Sequence, residues 1–151
     1  FILQALEILG SENDERVKQC AHTLIDHSLR WGWDTGRGGL ISGGNYSAEG
    51  TLKLTDYRKE WWAQAELLYA LLYFSSRYPE SDTYYTLFPT QWEYIKEFCI
   101  DPRYPGWHHE GIDIHPAEQY ENKGQLWKSS YHDSRALRSV FLLLSGRSPI
   151  D

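Results

Sequence analysis

The stretch from Lys59 to Glu66 reads KEWWAQAE, and its residue types invite a chemical reading. On a helix, Trp62, Glu66, Tyr69 and Tyr73 fall at i, i+4, i+7 and i+11 and share one face. A carboxylate in a segment this apolar is costly unless it is paired or faces a polar cavity. Glu66 is therefore either a functional group or one end of a structural ion pair or hydrogen bond. Gln64 lies on a different face, where it can cap a loop backbone. A second cluster, GQLWKSSYHDSR, places Trp127 and His132 just before and at the start of a final helix. An imidazole titrates near working pH, so His132 could exchange a proton with a bound molecule. His108, His109, His22, His27 and His115 stand in surface-like contexts and read as solvated.

Aromatic content of 15%, with 7 Trp and 11 Tyr, is the compositional outlier. Such residues offer flat apolar faces with a polar handle, suited to sugar rings as well as to a protein core. The net charge of -6 and the absence of a Lys/Arg stripe argue against a nucleic-acid surface. Cys20 and Cys99 are far apart and lack metal-ligand spacing, so no disulfide framework and no metal site is expected. A reducing, cytoplasmic setting follows as the default. No apolar run reaches the roughly 18 residues of a membrane span. Asn45-Tyr46-Ser47 matches a glycosylation sequon, a tripeptide that often arises by chance.

The elements that would position these residues are mostly helical. Apolar residues at 1, 2, 5, 6 and 9 mark a first helix ended by Gly10. Ser11 is expected to cap a second helix with acidic residues in its first turn and a buried stripe of Val17, Ala21, Leu24, Ile25 and Leu29. Six glycines between Asp34 and Asp56 suit turns and a small hairpin. Residues 59 to about 77 are apolar on nearly every side and read as a buried helix, in which Trp61 belongs to the core with Ala65, Leu68 and Leu72. A further helix, roughly 82 to 99, carries Leu87, Trp92, Ile95 and Phe98, with Pro89 expected to kink or restart it. An irregular segment from Asp101 to Trp127 leads to a last helix near 133 to 145, whose inward stripe reads as Leu137, Val140, Phe141 and Leu144, with Asp133 near its N-terminus as a dipole partner. Buried helices alternate with amphipathic ones, as in repeated helical hairpins. The chain starts inside a helix and contains no methionine, so it reads as a piece of a longer protein.

KEWWAQAE followed about 70 residues later by WKSSYHDSRA resembles the pair of C-terminal motifs of the N-acylglucosamine 2-epimerase and cellobiose 2-epimerase family, with Gly38-Gly39-Leu40 and the segment around Trp107 fitting its hairpins. The resemblance implies an all-α, (α/α)6 barrel, a helical-hairpin toroid. Residues 1–151 would be the C-terminal portion of that single domain, about five helices with short hairpins in the long loops, the N-terminal half being absent. It further implies epimerisation or aldose–ketose isomerisation of a mono- or disaccharide at C2, with no redox cofactor and no metal. A homodimer is compatible with it. Carried over by position, His132 matches a catalytic histidine, Glu66 the glutamate on the inner helix, and Trp62 and Trp127 sugar-stacking tryptophans. A second catalytic histidine and an arginine would precede Phe1, so the isolated chain is expected to be inactive. Glu66 would hold a sugar hydroxyl or orient a histidine. Two other readings compete: a glycoside hydrolase or lyase on the same toroid, needing two carboxyl groups roughly 5 to 9.5 Å apart, and a non-catalytic sugar- or protein-binding member.

Overall fold

A computed structural model describes residues 1–11 and 14–150. Its elements are α1 (Ile2–Ile8), α2 (Glu15–Gly32), a hairpin of β1 (Gly43–Tyr46) and β2 (Leu52–Asp56), α3 (Trp61–Arg77), α4 (Asp82–Tyr94) continuing into a π-helical turn (Ile95–Cys99), a 3-10 turn (Pro116–Tyr120) and α5 (Tyr131–Leu144). The helical order is the expected one, with different details. The cap of α2 is Asp14, whose Oδ1 accepts from the Arg16 and Val17 N–H groups. Ser11 instead ends α1, donating its N–H to the Leu6 carbonyl beyond a left-handed Gly10 (φ 63°), the αL ending that glycine adopts without a Cβ penalty. Glu12, part of the acidic first turn that a Ser11 cap would give, lies outside the described residues.

The apolar, helix-favouring run of α3 becomes the centre of the fold. It packs against α4 on one side and α5 on the other, and Ala65, Leu68 and Leu71 are wholly buried. Trp61 joins this core as expected. No side chain caps α3; its first N–H donates to the His109 carbonyl at 3.0 Å. The Gly111 N–H in turn donates to the Lys59 carbonyl at 2.9 Å, so the irregular segment after residue 101 is stitched to the start of α3. On the opposite flank, Gln64 holds the backbone of Leu40 from both ends, Oε1 accepting from its N–H at 2.7 Å and Nε2 donating to its carbonyl at 2.9 Å. Gln64 thus caps a loop backbone, as its position off the Glu66 face suggests. The hairpin forms beyond this clamp, antiparallel, with a bulge between Gly43 and Gly44.

Other expectations are corrected by the packing. The stripe of α5 is rotated: Ala136, Ser139, Val140 and Leu142 are buried, whereas Phe141 and Leu144 are exposed, as is Leu24 on α2. Helix α4 runs without interruption through Pro89. His108 is buried, not solvated, and half-buried His22 packs edge-on against Phe74 and Tyr78. Cys20 and Cys99 are both free thiols. No helix among the described residues is long and apolar enough to cross a membrane.

Candidate functional site

Helix α3 presents Trp62, Glu66, Tyr69 and Tyr73 along one side, and all four line a cavity of about 610 Å3 bounded by α1, α2 and the Leu40–Ser42 loop. The pairing of α3 with α5 brings His132 to this face. His132 Nδ1 lies 2.8 Å from Glu66 Oε1. Its ring also lies 5.9 Å from the Trp62 ring, centroid to centroid, and meets Tyr131 edge-on at 5.0 Å. Trp62, partly exposed, is oriented by its indole N–H donating to Glu60 Oε2 at 2.9 Å. Three of the four residues singled out by sequence therefore form one constellation. Trp127 is 81% exposed in the loop before α5 and is not among the residues lining the cavity.

Arg135, which sequence reasoning passed over, completes the arrangement. One turn beyond His132 on α5, it donates to Glu66 Oε2, so the carboxylate is held on both oxygens by groups from one helix face. The guanidinium lies 4.1 Å from the centroid of the Phe1 ring and 5.3 Å from that of Tyr69. The i,i+3 spacing of His132 and Arg135 was the available signal. Chemically, a charged carboxylate accepting from Nδ1–H fixes the imidazole ring and its tautomer and leaves Nε2 with its lone pair free. With Arg135 on Oε2 and His132 on Oε1, both oxygens of the carboxylate are already occupied.

Lys59 was also missed. It is fully buried, with Nζ donating to Asp34 Oδ2 at 2.8 Å, Asp113 Oδ2 at 2.9 Å and the Gly38 carbonyl at 2.9 Å. The Tyr94 ring lies 4.5 Å away, and its hydroxyl donates to Asp113 Oδ1 at 2.8 Å. Burial raises the Tyr94 phenol far above its ordinary range, so it stays a donor. This knot ties the loops at 34–38 and 111–113 to Lys59, two residues before the start of α3. Elsewhere, buried Glu110 accepts from His115 at 2.6 Å and from Arg58 at 3.4 Å, and the His109 ring packs at a tilt of 38° against Trp61, 4.7 Å between centroids. Among the described residues, no group of three or more His, Cys, Asp or Glu could hold a metal ion.

The helical scaffold is one shared with sugar-converting enzymes. The structure aligns with a crystal structure of D-mannose isomerase at a TM-score of 0.75 and 28% identity, over 92% of this chain and 34% of that one. It also aligns with cellobiose 2-epimerase from Bacillus thermoamylovorans at 0.71 and 22% identity, over 87% and 32%, a likeness of fold. In sequence the chain is 33% identical over 127 residues to D-mannose isomerase of Marinomonas mediterranea (83% of this chain, 30% of that protein). It is 33% identical over 140 residues to cellobiose 2-epimerase of Ruminococcus albus (91% and 33%). Residues 1–136 match the N-acylglucosamine 2-epimerase (GlcNAc 2-epimerase) family, and the chain belongs to that family. It spans about a third of the length of these relatives.

Proposed function

We propose that the complete protein is a sugar 2-epimerase or aldose–ketose isomerase acting on a mono- or disaccharide, and that this chain is the C-terminal portion of its single (α/α)6-barrel domain. The observation carrying the reading is the 2.8 Å contact of His132 Nδ1 with Oε1 of Glu66, which itself lines a cavity together with Trp62. In an open-chain aldose, His132 Nε2 takes the C2 proton. The C–H electron pair moves into a C1–C2 double bond, and the carbonyl π pair moves onto oxygen, giving an enediolate. Return of a proton to the opposite face of C2 gives the epimer; delivery to C1, with transfer of the O2 proton, gives the ketose. Glu66 orients the imidazole and stabilises the imidazolium, as a carboxylate behind a catalytic histidine does. Trp62 offers its face to the sugar, and Trp127, exposed before α5, offers another from the solvent side.

The pairing of Glu66 also speaks against the hydrolase or lyase reading. That chemistry asks one carboxyl group to reach the leaving oxygen with a proton, whereas both oxygens of Glu66 are taken up by His132 and Arg135. The isolated chain, with His132 as its one base at the site, is expected to be inactive. The test uses the full-length protein with mannose and cellobiose, the sugars in the relatives' names, in deuterated water. Solvent deuterium should appear at C2 of an epimer or at C1 of a ketose during turnover, and His132→Asn should abolish turnover with the helical circular dichroism unchanged. Product formed without label at either carbon, C2 of an epimer or C1 of a ketose, would rule out the enediolate route with solvent exchange.

A further inference from the structure

Tyr69 is a buried donor with nothing to donate to. Its side chain is 3% exposed, and its hydroxyl makes no hydrogen bond to any described residue. Yet it lines the same cavity as Trp62 and Glu66. One turn further along α3, Tyr73 is comparably buried and solves the same problem inside the protein, donating to Glu7 at 2.8 Å. The Tyr69 ring is fixed from two sides, 5.3 Å from the Arg135 guanidinium and 5.5 Å from the Tyr73 ring. An unsatisfied buried hydroxyl destabilises the empty protein, and a phenylalanine would fill the same space without that cost. A hydroxyl held there is therefore best accounted for by a partner that is not part of the chain.

We propose that the Tyr69 hydroxyl is a specificity-determining group that donates a hydrogen bond to a hydroxyl of the bound sugar remote from C2. The substrate class rests on the function proposed above; the assignment of Tyr69 rests on the cavity. Three residues of α-helix separate Tyr69 from Glu66, a rise of about 4.5 Å. A sugar reacting at C2 beside His132 and extending along α3 would thus bring one of its distal hydroxyls, at C4 to C6, to Tyr69. Burial pushes the phenol well above its ordinary range, so it remains a protonated donor at any working pH.

The test compares full-length wild type with Tyr69→Phe, measuring binding of mannose and its 4-deoxy and 6-deoxy analogues by calorimetry, alongside label exchange at C2. In the wild type, one deoxy analogue should bind at least about 10-fold more weakly than mannose, the scale of a lost hydrogen bond. Tyr69→Phe should weaken mannose by a similar factor while binding that analogue as the wild type does. Its melting temperature without sugar should be equal or higher. A merely structural tyrosine would lower the melting temperature and leave the analogue penalties unchanged, and that outcome overturns the proposal. Wild type that binds mannose but exchanges label into neither mannose nor cellobiose refutes the epimerase reading and leaves the Tyr69 comparison readable. Wild type that binds neither these three nor cellobiose overturns both.

Discussion

His132 and Glu66, 66 residues apart in the chain, meet at 2.8 Å because α5 packs against α3. The first consequence concerns Glu66→Gln in the full-length protein. The amide matches the carboxylate in shape, so the fold should hold, but it can present its NH2 rather than an oxygen to Nδ1 and so favour the wrong tautomer. A loss in kcat on the order of 1,000-fold is expected, with KM changed much less, as when the carboxylate behind a catalytic histidine is neutralised. Steady-state kinetics of the two proteins checks this, and a variant with near wild-type kcat would remove Glu66 from the orienting role.

What could be read from the sequence follows from how local each signal is. The apolar circumference of α3 and the shared face of Trp62 and Glu66 depend only on helical period, and both are found in the structure. The Glu66–His132 pairing needed the tertiary contact, which no spacing within either segment encodes. Arg135 escaped notice because an arginine on a helix usually faces water. Lys59 did so for a related reason: at the edge of an apolar helix a lysine looks like a solvated flank, and its partners Asp34 and Asp113 come from two distant loops. His108, buried within an irregular segment, has no periodicity to betray it. For the cap of α2, Ser11 and Asp14 are both good capping residues, and the choice falls to where α1 ends.

The Lys59 knot yields a stability prediction for the 151-residue chain. In Lys59→Met the apolar stem is preserved, but Asp113, whose side chain is fully buried, and partly covered Asp34 face each other without their cation. Breaking one partner of a buried ion pair costs about 3–5 kcal/mol. The midpoint of urea unfolding should fall accordingly, and adding Asp113→Asn should recover part of the loss by removing the stranded charge. An unchanged midpoint in the single variant would mean that the knot adds no net stability.

Acid should weaken the same chain in a defined window. At Asp34, burial opposes ionisation, but hydrogen bonds from Lys59 and the Gly36 N–H outweigh it and leave the carboxyl below its ordinary range. Hydrogen bonds from the Arg58 side chain and backbone hold Asp56 at about 2. Asp101 is depressed too, by Lys123 at 2.6 Å and the Arg103 N–H at 2.8 Å. Each folded-state value lies below the unfolded reference of about 3.9. The unfolded chain therefore binds more protons in acid, and the stabilisation, complete above about pH 4, is lost as pH falls through the folded values toward about 2. Urea midpoints measured from pH 6 to 2 should stay level to about pH 4 and then drop. Asp56 and Arg58 are partly open to water, so 1 M salt should flatten their share of the fall while leaving the contribution of the Lys59 knot. A midpoint that does not move between pH 4 and 2 would mean these three carboxylates are no more stabilised in the folded protein than in the unfolded chain.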